Sequence, residues 1–237
     1  GHYAKIINKD GKYHLARAKD INKDQTYFLH EVSEKEFSKC LFPLENLMKS
    51  EVRDIALKNN LVTANKKDSV GICFVGEKNL KDFLNRFIEF KKGNIKDENN
   101  NVIGQHQGAI LYTQGQRQGL MIGGVKGKEE LPWYVYKKDI PNNEIYVCQG
   151  GNNELLMNKG LYVEDINFIN DIDYQYPINC SVQVRHQHNP VKCVIEKLSN
   201  ETKVTFSEPI RAIAPGQSAV FYDSEICLGG GVICKTF

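Results

Sequence analysis

Ser181-Val182-Gln183-Val184-Arg185 alternates apolar and polar residues, the period-2 signature of a half-buried strand. The alternation points Val182 and Val184 inward and leaves Gln183 and Arg185 facing solvent. Further along, Val204 with Phe206, then Ala219 to Tyr222, then Ile226 to Cys234 continue the texture. Short strands at close spacing predict a small barrel, because closing a sheet reduces its exposed edges. Residues 158–237 are therefore read as a C-terminal β-barrel.

Working back toward the N-terminus, residues 91–157 read as a small β-rich central domain. Its strands are expected at Ala109-Ile110-Leu111-Tyr112, Trp133-Tyr134-Val135-Tyr136 and Glu144-Ile145-Tyr146-Val147, with Pro141-Asn142-Asn143 as a turn. Lys96 to Asn101 is a polar turn, and Gly123-Gly124 with the charged stretch after it reads as loop. No helical pattern follows that Gly-Gly pair, so it is not a nucleotide fingerprint.

Residues 1–90 are mixed and helix-rich. Ser33 with Glu36 fits a capping box opening a helix to Leu41. Ser50 is placed to cap a second helix, with Glu51 and Asp54 in its first turn and Val52, Ile55 and Ala56 as its buried stripe. Asn59-Asn60 ends it. Leu80, Phe83, Leu84, Phe87 and Ile88 recur at helical spacing and are expected in the core. The whole is an α+β chain.

Bulk properties exclude more than they identify. The 237 residues are 41% hydrophobic and 25% charged, ordinary globular material for one to three domains. No apolar run approaches the ~20 residues of a membrane helix, and no secretory signal opens the chain. Seven cysteines without C-x-x-C spacing suit neither a disulfide framework nor a zinc ribbon, which fits a reducing, cytoplasmic setting. His186 and His188 could share a strand face and hold a metal, but surface or RNA-facing roles are the expectation, with no metal. The net charge of +2 does not by itself suggest a nucleic-acid partner.

One cysteine stands apart. Lys67-Asp68-Ser69-Val70-Gly71-Ile72-Cys73-Phe74-Val75-Gly76-Glu77 places a thiol between glycines, with Lys66, Lys67 and Lys78 nearby. Neighbouring ammonium groups favour the nucleophilic thiolate, and flanking glycines allow close approach of a bulky substrate. The competing reading is an inert cysteine buried on a strand. The segment is too short for a helix and is placed as a strand or extended loop.

This run resembles the persulfide-cysteine motif of the tRNA-specific 2-thiouridylases, with Val70 for the family's Thr and Val75 for its Ile. Further segments match in order: Gly1-His2-Tyr3-Ala4, Lys23 to Leu29, Lys49 to Arg53, Gly115-Gln116-Arg117, Pro132 to Val135, Pro215 to Tyr222 and Cys227 to Gly231. The resemblance covers nearly the whole chain. It implies the tail of an α/β pyrophosphatase-like catalytic domain in residues 1–90, ahead of the central domain and the barrel. The family's Ser-Gly-Gly-Val-Asp-Ser-type pyrophosphate loop is absent, so the chain is expected to be the C-terminal portion of such an enzyme.

By that resemblance the activity is a tRNA sulfurtransferase installing 2-thiouridine at the wobble position. ATP is the co-substrate that adenylates the uridine, and Cys73 carries the persulfide. Gly1 matches a position whose backbone lies against ATP. His2, Lys23, Asp24, Gln25 and Gln217 match tRNA contacts. Arg185 and His186 stand where the family shows Arg-Tyr-Arg-Gln, so the second Arg is lost. The implied partners are a tRNA with a wobble uridine and a sulfur-donor protein, a cysteine desulfurase or sulfur-relay protein, with no membrane. The alternative is a non-catalytic tRNA-binding β-barrel module.

Overall fold

The computed structural model describes residues 1–66, 83–125, 127–164, 166–199 and 201–237. They fall into two compact units, one of Gly1–Lys67, Lys159–Ile210 and Pro215–Phe237, the other of Asp68–Asn158 with Arg211–Ala214.

The first unit opens with a hairpin of β1 (Lys5–Lys9) and β2 (Lys12–Ala16), turned by Asp10 and Gly11, both at positive φ. Two helices follow, α1 (Glu34–Phe37) and α2 (Lys49–Lys58). The second unit contributes β3 (Gly93–Lys96), β4 (Val102–His106), β5 (Trp133–Asp139) and β6 (Glu144–Gln149). The chain then runs through β7 (Met157–Val163), β8 (Asn167–Phe168), β9 (Ile178–Gln183), β10 (Val191–Lys197), β11 (Thr202–Arg211), β12 (Ser218–Asp223) and β13 (Ile226–Thr236).

Six of these strands close on themselves. The order β13-β12-β9-β10-β11-β7 is completed by antiparallel pairing of β7 with β13, Val163 opposite Ile233 and Leu161 opposite Thr236. The expected barrel is present. Alternation fills its interior: Val182, Ile195, Val204 and Phe221 are fully buried. β13 also pairs with β8, where Gly229 adopts φ +141° and a side chain would overlap the Asn167 backbone. Its near end meets β2, Ile226 opposite Ala16. Ala4, Leu15, Tyr27 and Phe37 therefore share one apolar cluster with Val220, Tyr222 and Cys227.

The second unit is a four-stranded sheet in the order β4-β3-β6-β5, with β3 and β6 parallel. Its core gathers Ile95, Tyr112, Leu120, Trp133, Val135, Ile145 and Val147. The polar turn is held by Asp97, whose carboxylate accepts the Asn99 and Asn101 amides at 2.9 Å. Asn143, at φ +52°, ends the β5–β6 turn as expected.

Several local expectations give way to tertiary contacts. Ser33 precedes α1, but no capping box forms and the helix ends at Phe37. The Glu34 carboxylate accepts instead from Tyr13 N (3.0 Å) and Asn170 Nδ2 (2.9 Å), joining α1 to β2 and the segment after β8. α2 starts one residue before Ser50, and Glu51 at its third position accepts the Met48 N–H at 2.6 Å. None of its residues is fully buried and Ile55 is 47% exposed, so the Val52-Ile55-Ala56 stripe is not core. Phe87, 72% exposed, likewise lies outside the core expected for it.

Ala109–Leu111 is a 3-10 turn rather than a strand, because a single turn buries Ala109 and Tyr112 three residues apart while Ile110 faces out. Gln183, expected outside, is buried. Its amide oxygen takes a hydrogen bond from Arg17 Nη2 at 2.7 Å and its NH2 donates to Arg185 O at 3.1 Å. Paired on both sides, a buried amide is satisfied.

Candidate functional site

The segments carrying the expected RNA-facing residues are far apart in sequence and meet on the first unit. Gln25 clamps the start of the chain: its N–H donates to Tyr3 O at 2.8 Å and its side-chain oxygen accepts the Tyr3 N–H at 3.1 Å. Gly1 and His2 stand exposed beside this clamp, with Gly1 close against Leu44. Lys23 sits in the turn where its amide bonds Asp20 O, and it is half-buried.

Asp24 points the other way. Its carboxylate is 5% exposed and accepts from the Ala18 N–H at 3.0 Å and from the Thr26 hydroxyl. Thr26 in turn lies 3.2 Å from the Tyr222 hydroxyl, and the Arg17 guanidinium covers the Tyr222 ring at 4.0 Å. Burial raises the Asp24 pKa above its ordinary 3.8, against the opposing pull of Thr26, Ala18 N–H and Arg17. The outward-facing group of Asp24 is its carbonyl, 3.2 Å from His186 Nε2. A carbonyl can only accept, so this bond places the hydrogen on Nε2.

His186 is thereby fixed over an exposed ring. Its centroid is 4.5 Å from that of Phe28, which is 59% exposed, and 6.2 Å from Tyr27. Tyr27 donates to Ser218 O at 2.9 Å, and exposed Gln217 precedes that residue. Burial raises the Tyr27 phenol above its usual value, and the Arg185 cation opposes that shift. Arg185 is exposed, its backbone held by Gln183. A cavity of about 350 Å³ lies alongside, lined by Arg17, Ile21, Asn22, Asp24, Gln187 and His188. The face thus combines an aromatic pair, an exposed guanidinium and a polar cavity.

Contacts from the Lys23–Phe28 segment reach Tyr3 beside His2 through Gln25, His186 through the Asp24 carbonyl and the Phe28 ring, and Ser218 beside Gln217 through Tyr27, while the Asp24 carboxylate stays buried. Cys73 lies outside the described residues. Sequence reasoning missed Phe28, the ring under His186, although it sits in the matched stretch Lys23 to Leu29. It also missed Arg17 and Tyr222 as the internal supports of Asp24, although Tyr222 ends the matched stretch Pro215 to Tyr222.

Family models match the chain in three consecutive stretches: the tRNA methyl transferase HUP domain at residues 1–77, the tRNA methyl transferase PRC-barrel domain at 81–149, and the aminomethyltransferase β-barrel domain at 158–233. Curated relatives carry one name. A tRNA-specific 2-thiouridylase MnmA of Buchnera aphidicola is 47% identical over 234 residues, 98% of this chain and 64% of the relative. The chain belongs to the tRNA-specific 2-thiouridylase family.

The enzyme of that name from Pseudomonas fluorescens is 48% identical over 98% of this chain and 62% of its own length. That from Streptococcus thermophilus is 44% identical over 100% of this chain and 64% of its own. The chain thus spans a little under two thirds of the length of these 2-thiouridylases. Among the described residues, no helix is long and apolar enough to cross a membrane.

Proposed function

We propose that this chain is the tRNA-binding and sulfur-donating portion of a cytoplasmic tRNA-specific 2-thiouridylase. In this reading ATP activates the wobble uridine at its 2 position, turning a poor leaving oxygen into AMP. Cys73, loaded as a persulfide by a sulfur-donor protein, then delivers the sulfur. Residues 1–90 act as the tail of the pyrophosphatase-like catalytic domain, 91–157 as the central domain and 158–237 as the barrel. ATP approaches this chain at the exposed backbone of Gly1.

The observation that supports the reading is the packing of His186 on the exposed Phe28 ring and on the Asp24 carbonyl, within the segment that also carries Lys23 and Gln25. Single-stranded RNA loops are held by aromatic stacking and cationic contacts to phosphate, and this face offers both. Phe28 and His186 supply a π-surface for a splayed base, Arg185 a charge-assisted phosphate contact. Asp24 acts as a positioning residue, holding His186 through its carbonyl while its carboxylate braces the turn from inside.

The test has two parts. Incubated with a cysteine desulfurase and cysteine, the chain should gain one sulfur at Cys73 by mass spectrometry, and Cys73→Ser in the full-length enzyme should abolish 2-thiouridine. Extra mass on another cysteine, or thiolation surviving in Cys73→Ser, overturns the catalytic assignment. Salt-sensitive tRNA binding with no sulfur loading at all would favour the non-catalytic module instead.

A further inference from the structure

Two cysteines outside this face oppose each other inside the barrel. Cys180 on β9 and Cys193 on β10 are direct partners in the antiparallel ladder, and their sulfurs stand 3.6 Å apart. The rungs on either side, Ser181 with Lys192 and Asn179 with Val194, are in register. Opposed residues in such a ladder have Cα atoms roughly 4.5–5.5 Å apart, inside the about 4.4–6.8 Å that a disulfide spans. Closing the sulfurs to about 2.05 Å is thus a matter of side-chain rotation, with the strands left in place.

The pair is also reachable. Cys193 is buried and Cys180 half-buried. Both line an open groove of about 560 Å³ together with Lys192, Phe206, Tyr222 and Asp223. The hydrogen bond to Cys180, together with burial, holds the Cys193 thiol in its protonated form. The more exposed Cys180 is accordingly the sulfur that meets a reagent first.

We propose that Cys180 and Cys193 form a reversible disulfide by exchange with a low-molecular-weight disulfide of the glutathione class. The Cys180 thiolate attacks one sulfur of the oxidant, the oxidant's S–S bond breaks, and its first half leaves as a thiol after taking up a proton. Cys180 then carries a mixed disulfide. Cys193, giving its proton to solvent, attacks Cys180 Sγ, forms the Cys180–Cys193 bond and expels the second half, again as a thiol. Two protein thiols are oxidised and one small disulfide is reduced to two thiols, so the exchange balances. The hairpin stapled in this way carries Arg185 and His186 near its tip, but the exchange stands whether or not that tip meets RNA.

The experiment treats the reduced chain with glutathione disulfide, unfolds it in an alkylating reagent and maps the peptides without reduction. The expected result is a Cys180–Cys193 cross-linked peptide, two fewer alkylated thiols, and recovery of both on adding dithiothreitol. Cys193→Ser should instead accumulate one glutathione on Cys180, and Cys180→Ser none at position 193. Should exposed Cys40 take up glutathione while Cys180 and Cys193 both stay alkylatable, the proposal fails. The wild-type map decides the matter even if a serine variant does not fold.

Discussion

Replacing Asp24 by alanine is expected to destabilise the protein by about 3 kcal/mol, whereas asparagine should leave it within about 1 kcal/mol. Alanine removes the acceptor of the Ala18 N–H, and Ala18 is 2% exposed, so water cannot take over. A buried donor left unsatisfied costs about 1–3 kcal/mol, and a hydrogen bond to a charged group contributes about 1.5–3. The Thr26 hydroxyl keeps the Tyr222 hydroxyl at 3.2 Å and adds little to the loss. Relief of the carboxylate's own desolvation offsets part of it. With each kcal/mol worth roughly 2–4 °C in a protein of this size, the melting temperature should fall by about 6–12 °C.

Asparagine keeps an oxygen for Ala18 and turns its NH2 toward Thr26. It also removes a titration. Burial raises the Asp24 pKa above 3.8, so the stability linked to its protonation is present below that value and is lost as pH rises through the raised one. Wild type should lose ground to Asp24→Asn across that window. Circular dichroism melts of the three proteins over a pH series measure both effects. Alanine and asparagine variants melting together, or wild type gaining on the asparagine variant as pH rises, would refute the reasoning.

Other outcomes are equally concrete. Phe28→Ala and His186→Ala should each weaken tRNA binding by about 1–3 kcal/mol in a filter-binding titration, the usual cost of losing a stacked base partner; unchanged affinity in both would remove the platform from the interface. Gly229→Ala should destabilise the barrel by more than about 3 kcal/mol, since the side chain meets the Asn167 backbone at a strained φ; a variant as soluble and stable as wild type contradicts the packing of β8. Glu34 has its carboxyl pKa lowered by Asn170 first and then by the Tyr13 N–H. Its tie between α1 and β2 is therefore present above pH 4.5 and is lost as pH falls through the lowered value, and hydrogen exchange at the Tyr13 amide should accelerate there.

The barrel was legible because period-2 alternation is local: Val182, Val204 and Phe206 announce their inward faces one strand at a time. Its closure was inferable only as a way to remove edges, since no residue states that β7 will find β13. Turns marked by Asn143 and Asn60 were legible for the same local reason, a short side chain tolerating positive φ. What failed depended on distant partners. The Ser33–Glu36 box did not form while Glu34 tied α1 to Tyr13 and Asn170, and Gln183 turned inward because Arg17, 166 residues away, needed an acceptor. The site divides similarly. Its members came from the family resemblance, but that Asp24 works through its carbonyl and Phe28 underlies His186 follows only from how three segments pack.

The seam between β2 and β13 bears on how this protein can be cut. Family matches assign the first 77 residues and the stretch 158–233 to separate modules, which invites expressing the barrel as a free-standing cassette. Yet Tyr27, Phe37 and Leu15 are packed with Val220, Tyr222 and Cys227, so excision would strip apolar cover from the outgoing piece and bare the flank of its longest strand. Anyone trimming the gene should keep both ends of the polypeptide in one product, or expect inclusion bodies.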